Sequence, residues 1–394
     1  SGSYPALFLS KFNPSRAVRG EIKIGNSRNV LRQTLIVFQF AVTVVLLIGT
    51  ITVYNQLDYM QNKKIGINKE QIIVLQATDQ GIDARFEFFK DNLLQNSEIE
   101  DVASSSYLPA SGIIATPYRL EGATDEQKWE VTTLPVSYSF VKTLGIELIA
   151  GRDYSRSIAS DTVSSFIINE QAVKTFGFET PEKAIGKRLI WLGTGSDHIG
   201  EVIGVAKNFN YGSLENQINS LVMIPQNLWP DGVNYISIKI SPARMSEMLS
   251  FIEDKWEQTF PAVPFRYSFM DENFGNLYQS ELQLGRIFTV FAVLAMFIAC
   301  LGLLGLVNFL AEVRTKEIGI RKILGSTVSG IVTMISKEFL KLVLIANLIA
   351  LPLAYFIMEQ WLENFAYKID FQISTFLITG FATIIITIIT VSLQ

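Results

Sequence analysis

The sequence is poor in the groups that most chemistry needs. Its 394 residues include one cysteine and one histidine. Cys300 alone permits no intramolecular disulfide, and it rules out zinc sites built on several thiolates. His198 alone cannot support histidine-cluster sites, and its surroundings read as a solvated polar turn. No G-x-x-x-x-G-K-[ST] occurs, so the chain cannot cradle ATP in the P-loop manner; Gly325–Gly330 (GSTVSG) lacks both the lysine and a preceding strand. No G-x-S-x-G elbow is present either. The carboxylate pairs Asp125–Glu126, Glu253–Asp254 and Asp271–Glu272 are adjacent in sequence, so on helices they diverge rather than form an acid/base pair. The long apolar runs contain no Asp or Glu of the kind that marks a proton relay. The expectation is that the chain is not an enzyme, binds no cofactor or metal of its own, and has no nucleic-acid partner.

What the sequence does hold is apolar residues in blocks. Leu35–Tyr54 and the 25 residues Ile287–Ala311 are uncharged, and a bilayer span needs about 20. Two more runs follow at Leu342–Met358 and Ile373–Leu393. Charge divides the chain in the same places. Asn55–Gln283 carries 19 Lys and Arg against 30 Asp and Glu, a balance of −11, while the rest carries 14 against 7, or +7. The segments before the first block and after the second are basic; Glu359–Asp370 is acidic. By the positive-inside tendency the amino terminus is cytoplasmic and the long insert lies on the far side.

The expected organisation is therefore a cytoplasmic linker over 1–32 and a transmembrane helix over 33–54. An extracytoplasmic α+β domain follows over 55–283, with an inserted subdomain at 139–213. Further transmembrane helices cover 284–311, 342–358 and 371–394, joined by a cytoplasmic segment at 312–341 and an outer loop at 359–370. Within the insert, Gln71–Gln76, Ser165–Ile168, Glu201–Val205, Leu221–Ile224, Tyr235–Ile240 and Phe265–Phe269 have strand-like patterns. Ala84–Leu94 and Met245–Thr259 have helical spacing, turns are marked at Leu108–Gly112 and Gly193–Ser196, and Glu272–Leu284 continues as helix into the second span. Along that span Ala292, Ala295, Ala299 and Gly302 form a small-residue stripe where another helix can pack closely. Because the chain starts at Ser1 and stops at Gln394 inside an apolar run, it is expected to be a piece of something longer.

The segment that invites a function is Glu312–Ser326 (EVRTKEIGIRKILGS). A loop that only fixes topology needs charges. This one also interleaves Ile318, Ile320, Ile323 and Leu324, the pattern of a short amphipathic helix that lies in a partner's groove.

RTKEIGIRKILGS at Arg314–Ser326, directly after GLLGLVNFLAEV, resembles the FtsX-like permeases of ABC transporters, in the MacB or type VII group. Gln39–Leu75 resembles that family's first span, Ser137–Ser155 with Ile185–Leu189 and Glu201–Leu214 its extracytoplasmic core domain, and Phe274–Leu306 its return span. Ser1–Gly20 resembles the linker into the second four-span repeat of Bacteroidota two-repeat permeases. The resemblance implies a bacterial inner-membrane protein with its large domain in the periplasm. It implies a separate ATPase dimer, carrying ATP and Mg, whose motion passes through the membrane to the outer domain. The implied coupling residues are Arg314, Lys316, Glu317, Ile318, Ile320, Arg321 and Leu324, with Gly319 and Gly325 as hinges. The implied partners are a second permease half or protomer, membrane lipid, and a periplasmic adaptor, lipoprotein or cargo. Two readings share these features: a force-transmitting subunit exporting or extracting a hydrophobic peptide, lipoprotein or drug, and an FtsX-like regulator of a periplasmic hydrolase or a kinase.

Overall fold

A computed structural model describes residues 26–78, 81–109, 114–124, 126–193, 197–241 and 245–392. Most of the 1–32 linker, the Ser1–Gly20 resemblance and parts of the two expected turns, at 110–112 and 194–196, lie outside the described residues.

The described chain opens with α1 (Asn26–Asn62). The insert then lays down β1 (Ile72–Gln76), α2 (Ile82–Leu93), β2 (Ile99–Ser105), β3 (Ala115–Leu120) and β4 (Trp129–Val136). Next come β5 (Leu148–Gly151), β6 (Ser165–Asn169), β7 (Arg188–Leu192), β8 (Asp197–Ala206) and β9 (Leu221–Pro225). It ends in β10 (Tyr235–Ile240), α3 (Met245–Thr259), β11 (Tyr267–Phe269) and α4 (Met270–Asn276). Four helices complete the chain: α5 (Gln279–Val313), α6 (Thr315–Ile323), α7 (Val328–Leu362) and α8 (Ile373–Ser392). Contacts divide it into two units, one of membrane helices and one formed by Gln56–Leu282 with Glu363–Ile369.

The inserted domain has two cores. In the first, the antiparallel order β11-β1-β10-β2 makes a sheet covered by α2 and α3. Both helices are amphipathic and turn Phe86, Phe89 and Leu93, or Met248, Ile252 and Trp256, toward the strands. The Trp256 ring meets Phe89 edge-on at 5.5 Å, and its indole N–H donates to the Val263 carbonyl at 2.9 Å. In the second, β4-β3-β7-β8-β6-β9 closes on itself because β9 pairs back in parallel onto β4. Closure removes the open edge, so strands as short as these are held on both sides. Tyr118, Phe166 and Trp191 fill this barrel, and the core extends to Val131 and Trp229, on either side of the expected 139–213 subdomain. The two halves join where β2 meets β4 at Ser105 and Val136, flanked by bonds from Ser106 N–H to the Pro135 carbonyl and from Ser137 N–H to the Ser104 carbonyl.

Two expectations are corrected here. His198 lies not in a turn but on β8, stacked on Trp191 at 5.3 Å. Glu272–Leu284 is not one helix: α4 stops and α5 starts again after Leu277–Tyr278, where the Tyr278 hydroxyl accepts the Leu214 N–H at 3.0 Å. That bond fixes the break, because it anchors the turn residue to another loop.

Among the described residues, four helices are long and apolar enough to cross a membrane: Val30–Asn62 within α1, α5, Gly330–Leu362 within α7, and α8. Their shared core takes Phe40, Val44 and Ile48 from α1, Ala299 and Leu303 from α5, and Phe339 and Val343 from α7. Small residues let the backbones approach: Ala346, Ala350 and Ala354 line the buried side of α7, and a Cβ on Gly302 would stand 2.9 Å from Gln39 Oε1. The buried face of α8 is mostly threonine, at 375, 379, 383, 387 and 390, with Val391, while Ile373, Ile378, Ile385, Ile388 and Ile389 are exposed. Thr379, Thr387 and Thr390 donate to carbonyls four residues back, which satisfies each hydroxyl inside its own helix. Asn347 on α7 bridges to this row through Nδ2, 3.2 Å from Thr383 Oγ1. Asn347→Ala is expected to lower the thermal stability of the detergent-solubilised protein by about 1 kcal/mol, the scale of one interhelical hydrogen bond in a membrane.

Candidate coupling site

The sequence-selected residues fall on a short helix with no interior. α6 begins one residue after α5 ends, and the Arg314 joint keeps the helical bonding running: Arg314 N–H donates to Leu310 and Ile318 N–H to Arg314. The helix stops at Gly325. There the backbone enters the left-handed region (φ 92°), Ser326 N–H reaches back to the Arg321 carbonyl at 3.0 Å, and Gly325 N–H reaches Lys322 at 3.2 Å. This paired closure needs a left-handed residue just past the helix end, which glycine adopts without a Cβ penalty. Gly319 lies mid-helix, and a Cβ there would meet nothing within 4 Å. The packing around it therefore does not require glycine.

No residue of α6 is buried. Its charges separate into two groups. Arg314 Nη1 sits 2.8 Å from Glu338 Oε1 on α7, and Arg321 Nη2 sits 2.7 Å from Glu317 Oε1, with the Arg321 guanidinium also against Met334 Sδ. These pairs tie the helix to α7 and to itself. Lys316 and Lys322 are exposed, beside an apolar ridge: Ile320 is 59 % exposed, Leu324 79 % and Ile323 88 %, while Ile318 is half-buried. Ile323, the most exposed of them, is absent from the residue set that the family resemblance implied, although the interleaved isoleucines pointed to it. Glu338 was missed as well, because its link to Arg314 crosses 24 residues.

The small-residue stripe divides. Ala292 and Ala299 are buried in the bundle, whereas Ala295 and Gly302 are half-buried. Gly302 also lines a groove of about 430 Å³ with Leu35, Leu306 and Phe309, where the Arg32 guanidinium lies 4.2 Å from the Phe309 ring centroid. Among the described residues no group of His, Cys, Asp and Glu is placed to hold a metal ion.

Residues 289–393, which include α6, match the family model described as FtsX-like permease C-terminal. This part of the chain is similar to the C-terminal domain of FtsX-like permeases. No curated protein matches the chain. Among solved structures, the chain is similar to the periplasmic region of MacB from Actinobacillus actinomycetemcomitans, at 14 % identity, covering 54 % of this chain and 94 % of that one (TM-score 0.39). It is also similar to a domain of a putative permease protein from Porphyromonas gingivalis, at 20 % identity over 51 % of this chain and 89 % of that one (TM-score 0.36). A third is the extracellular domain of the noncanonic ABC-type transporter YknZ from Gram-positive bacteria, at 15 % identity over 50 % and 99 % (TM-score 0.34). Among the described residues the chain combines four membrane-capable helices with a β-rich domain between the first and second.

Proposed function

We propose that this permease transmits force. A separate ATPase dimer, which carries ATP and Mg, docks on α6, and its motion passes along α5 to the outer domain. The work done there is export or extraction of a hydrophobic cargo at the inner membrane of a bacterium. One observation carries the reading: α6 exposes Ile320, Ile323 and Leu324 although it is bonded into the end of α5 and ion-paired to α7. Exposed aliphatics on a rigidly held helix make a docking ridge whose displacement must be passed on. The open space at Gly319 lets a partner surface approach the helix backbone closely, and Lys316 and Lys322 supply cations at its border.

The test is co-purification of the full-length permease with its candidate ATPase in detergent, read by the ATPase rate with and without the permease. Binding that is lost when 312–326 is replaced by a Gly/Ser segment of equal length supports the reading. Absence of binding to any ATPase overturns it and leaves the FtsX-like regulator.

A further inference from the structure

The α7–α8 connection does not hang free in solvent. Within the inserted domain's unit, Ala366 N–H donates to the Glu215 carbonyl at 2.9 Å and Tyr367 N–H to the Leu214 carbonyl at 3.4 Å. Gln56, near the end of α1 and 0 % exposed, completes the attachment. Its Nε2 donates to the Tyr367 carbonyl at 2.8 Å, and its Oε1 accepts the Ile369 N–H at 2.9 Å. The side-chain amide thus stands where a strand's peptide group would, and both of its ends are satisfied without water. Lys63, just past the end of α1, places Nζ 4.3 Å from the Tyr367 ring centroid. On the other side, Leu214 donates its own N–H to Tyr278 Oη, in the turn that begins α5.

Three stretches covalently continuous with membrane helices therefore meet at one node around 213–215: the end of α1, the start of α5 and the α7–α8 loop. A connection that only joined two helices would not need a fully buried glutamine committed to its backbone, because such a group is costly to desolvate unless every partner is in place.

We infer that Gln56 clamps segment 363–369 to the outer domain as a strap, so that displacement of α7 and α8 reaches that domain together with that of α1 and α5. The inference rests on the force-transmitting reading. Gln56 is here a positioning residue: it contacts neither ATPase nor cargo and acts through the strap.

Hydrogen exchange of the full-length permease with its ATPase, with and without a non-hydrolysable ATP analogue, tests this. In Gln56→Ala the Ile369 amide, whose acceptor is removed, is expected to exchange roughly 10- to 30-fold faster, and the Tyr367 amide to follow as the strap is released from Leu214, the effect of losing two hydrogen bonds made by one buried amide. ATPase binding is expected to stay as in wild type, while the nucleotide-dependent change in exchange within the outer domain falls by at least about half. Glu215→Cys combined with Ala366→Cys, in a Cys300→Ser background, closes the strap covalently and should restore that response under oxidising conditions only, which a merely destabilised variant would not show. Gln56→Met, which keeps the side-chain volume and loses both hydrogen bonds, should release the strap as alanine does and covers the case in which the alanine variant folds poorly. Strap amides that stay protected in Gln56→Ala, or an undiminished nucleotide response despite a released strap, would overturn the inference. Failure of the permease reading itself looks different: the wild type then shows no nucleotide response, and the strap proposal falls with it.

Discussion

An Ile323→Asp permease is expected to insert and fold like the wild type yet bind its ATPase about 30-fold more weakly, the cost of removing a central anchor from an interface. Ile323 is the last residue of α6 and is 88 % exposed, so its side chain does little for the permease alone. A carboxylate there replaces apolar contact with a charge that must be desolvated on docking. The measurement is a titration of ATPase rate against permease concentration, with Ile323→Leu as the control that keeps apolar area. Lys316→Ala on the rim should matter much less, because rim charges change association rate and salt dependence more than affinity. Equal midpoints for wild type and Ile323→Asp would remove the ridge from the docking surface. Arg321 is a poorer probe of the same surface, since its pairing with Glu317 and its contact with Met334 mean that reversing it also disturbs the segment itself.

What the sequence revealed and what it hid follow from the range of the interactions. The membrane helices were legible because each is a local run of apolar residues, and α2 and α3 because their periodicity is local too. The short helix α6 was legible from isoleucines set among charges. The barrel was not. β2 (IEDVASS), β3 (ATPYRL) and β4 (WEVTTLPV) carry charges, prolines and threonines that read as loop, and they are strands because partners far along the chain complete their ladders. The threonine row of α8 hid in another way: its polarity suggests a face turned to water, but each hydroxyl that donates within the helix is free to face the bundle. Gln56 is the extreme case. It stands just beyond an apolar run, where a glutamine would ordinarily be solvated, and the carbonyl that buries it lies 311 residues away. No pattern in a window of sequence contains that information.

The same distance-blind reading passed over Arg152, whose replacement by methionine is expected to lower the stability of the outer domain by about 2–3 kcal/mol at neutral pH. Arg152 grips Asp161, a carboxylate with no exposed surface, through both terminal nitrogens at 2.5 and 2.9 Å. Because Arg152 itself is 41 % exposed and Asp161 also accepts from Ser155 N–H and Ser165 Oγ, the cost stays below that of breaking a wholly buried pair. The sign of the pH dependence is the sharper test. In the wild type, burial pushes the Asp161 carboxyl up, but the Arg152, Ser155 and Ser165 hydrogen bonds outweigh it and hold the group below the usual carboxylate range. Its contribution is therefore present above the unfolded value of 3.8 and lost as pH falls through the lower folded value. Without the guanidinium, burial dominates and raises the folded value above the unfolded one, so the contribution is present in acid and lost as pH rises. Neighbouring Asp153, raised to about 6 by burial and by the nearby Asp101 and Asp161, already behaves in that second way. Comparing the two proteins in an Asp153→Asn background isolates Asp161. Thermal melts of the full chain, followed by the outer domain's tryptophan fluorescence, should then show the variant's deficit shrinking steadily from pH 7 toward pH 4. A deficit that stays constant across that range would mean that the guanidinium acts on Asp161 by packing alone.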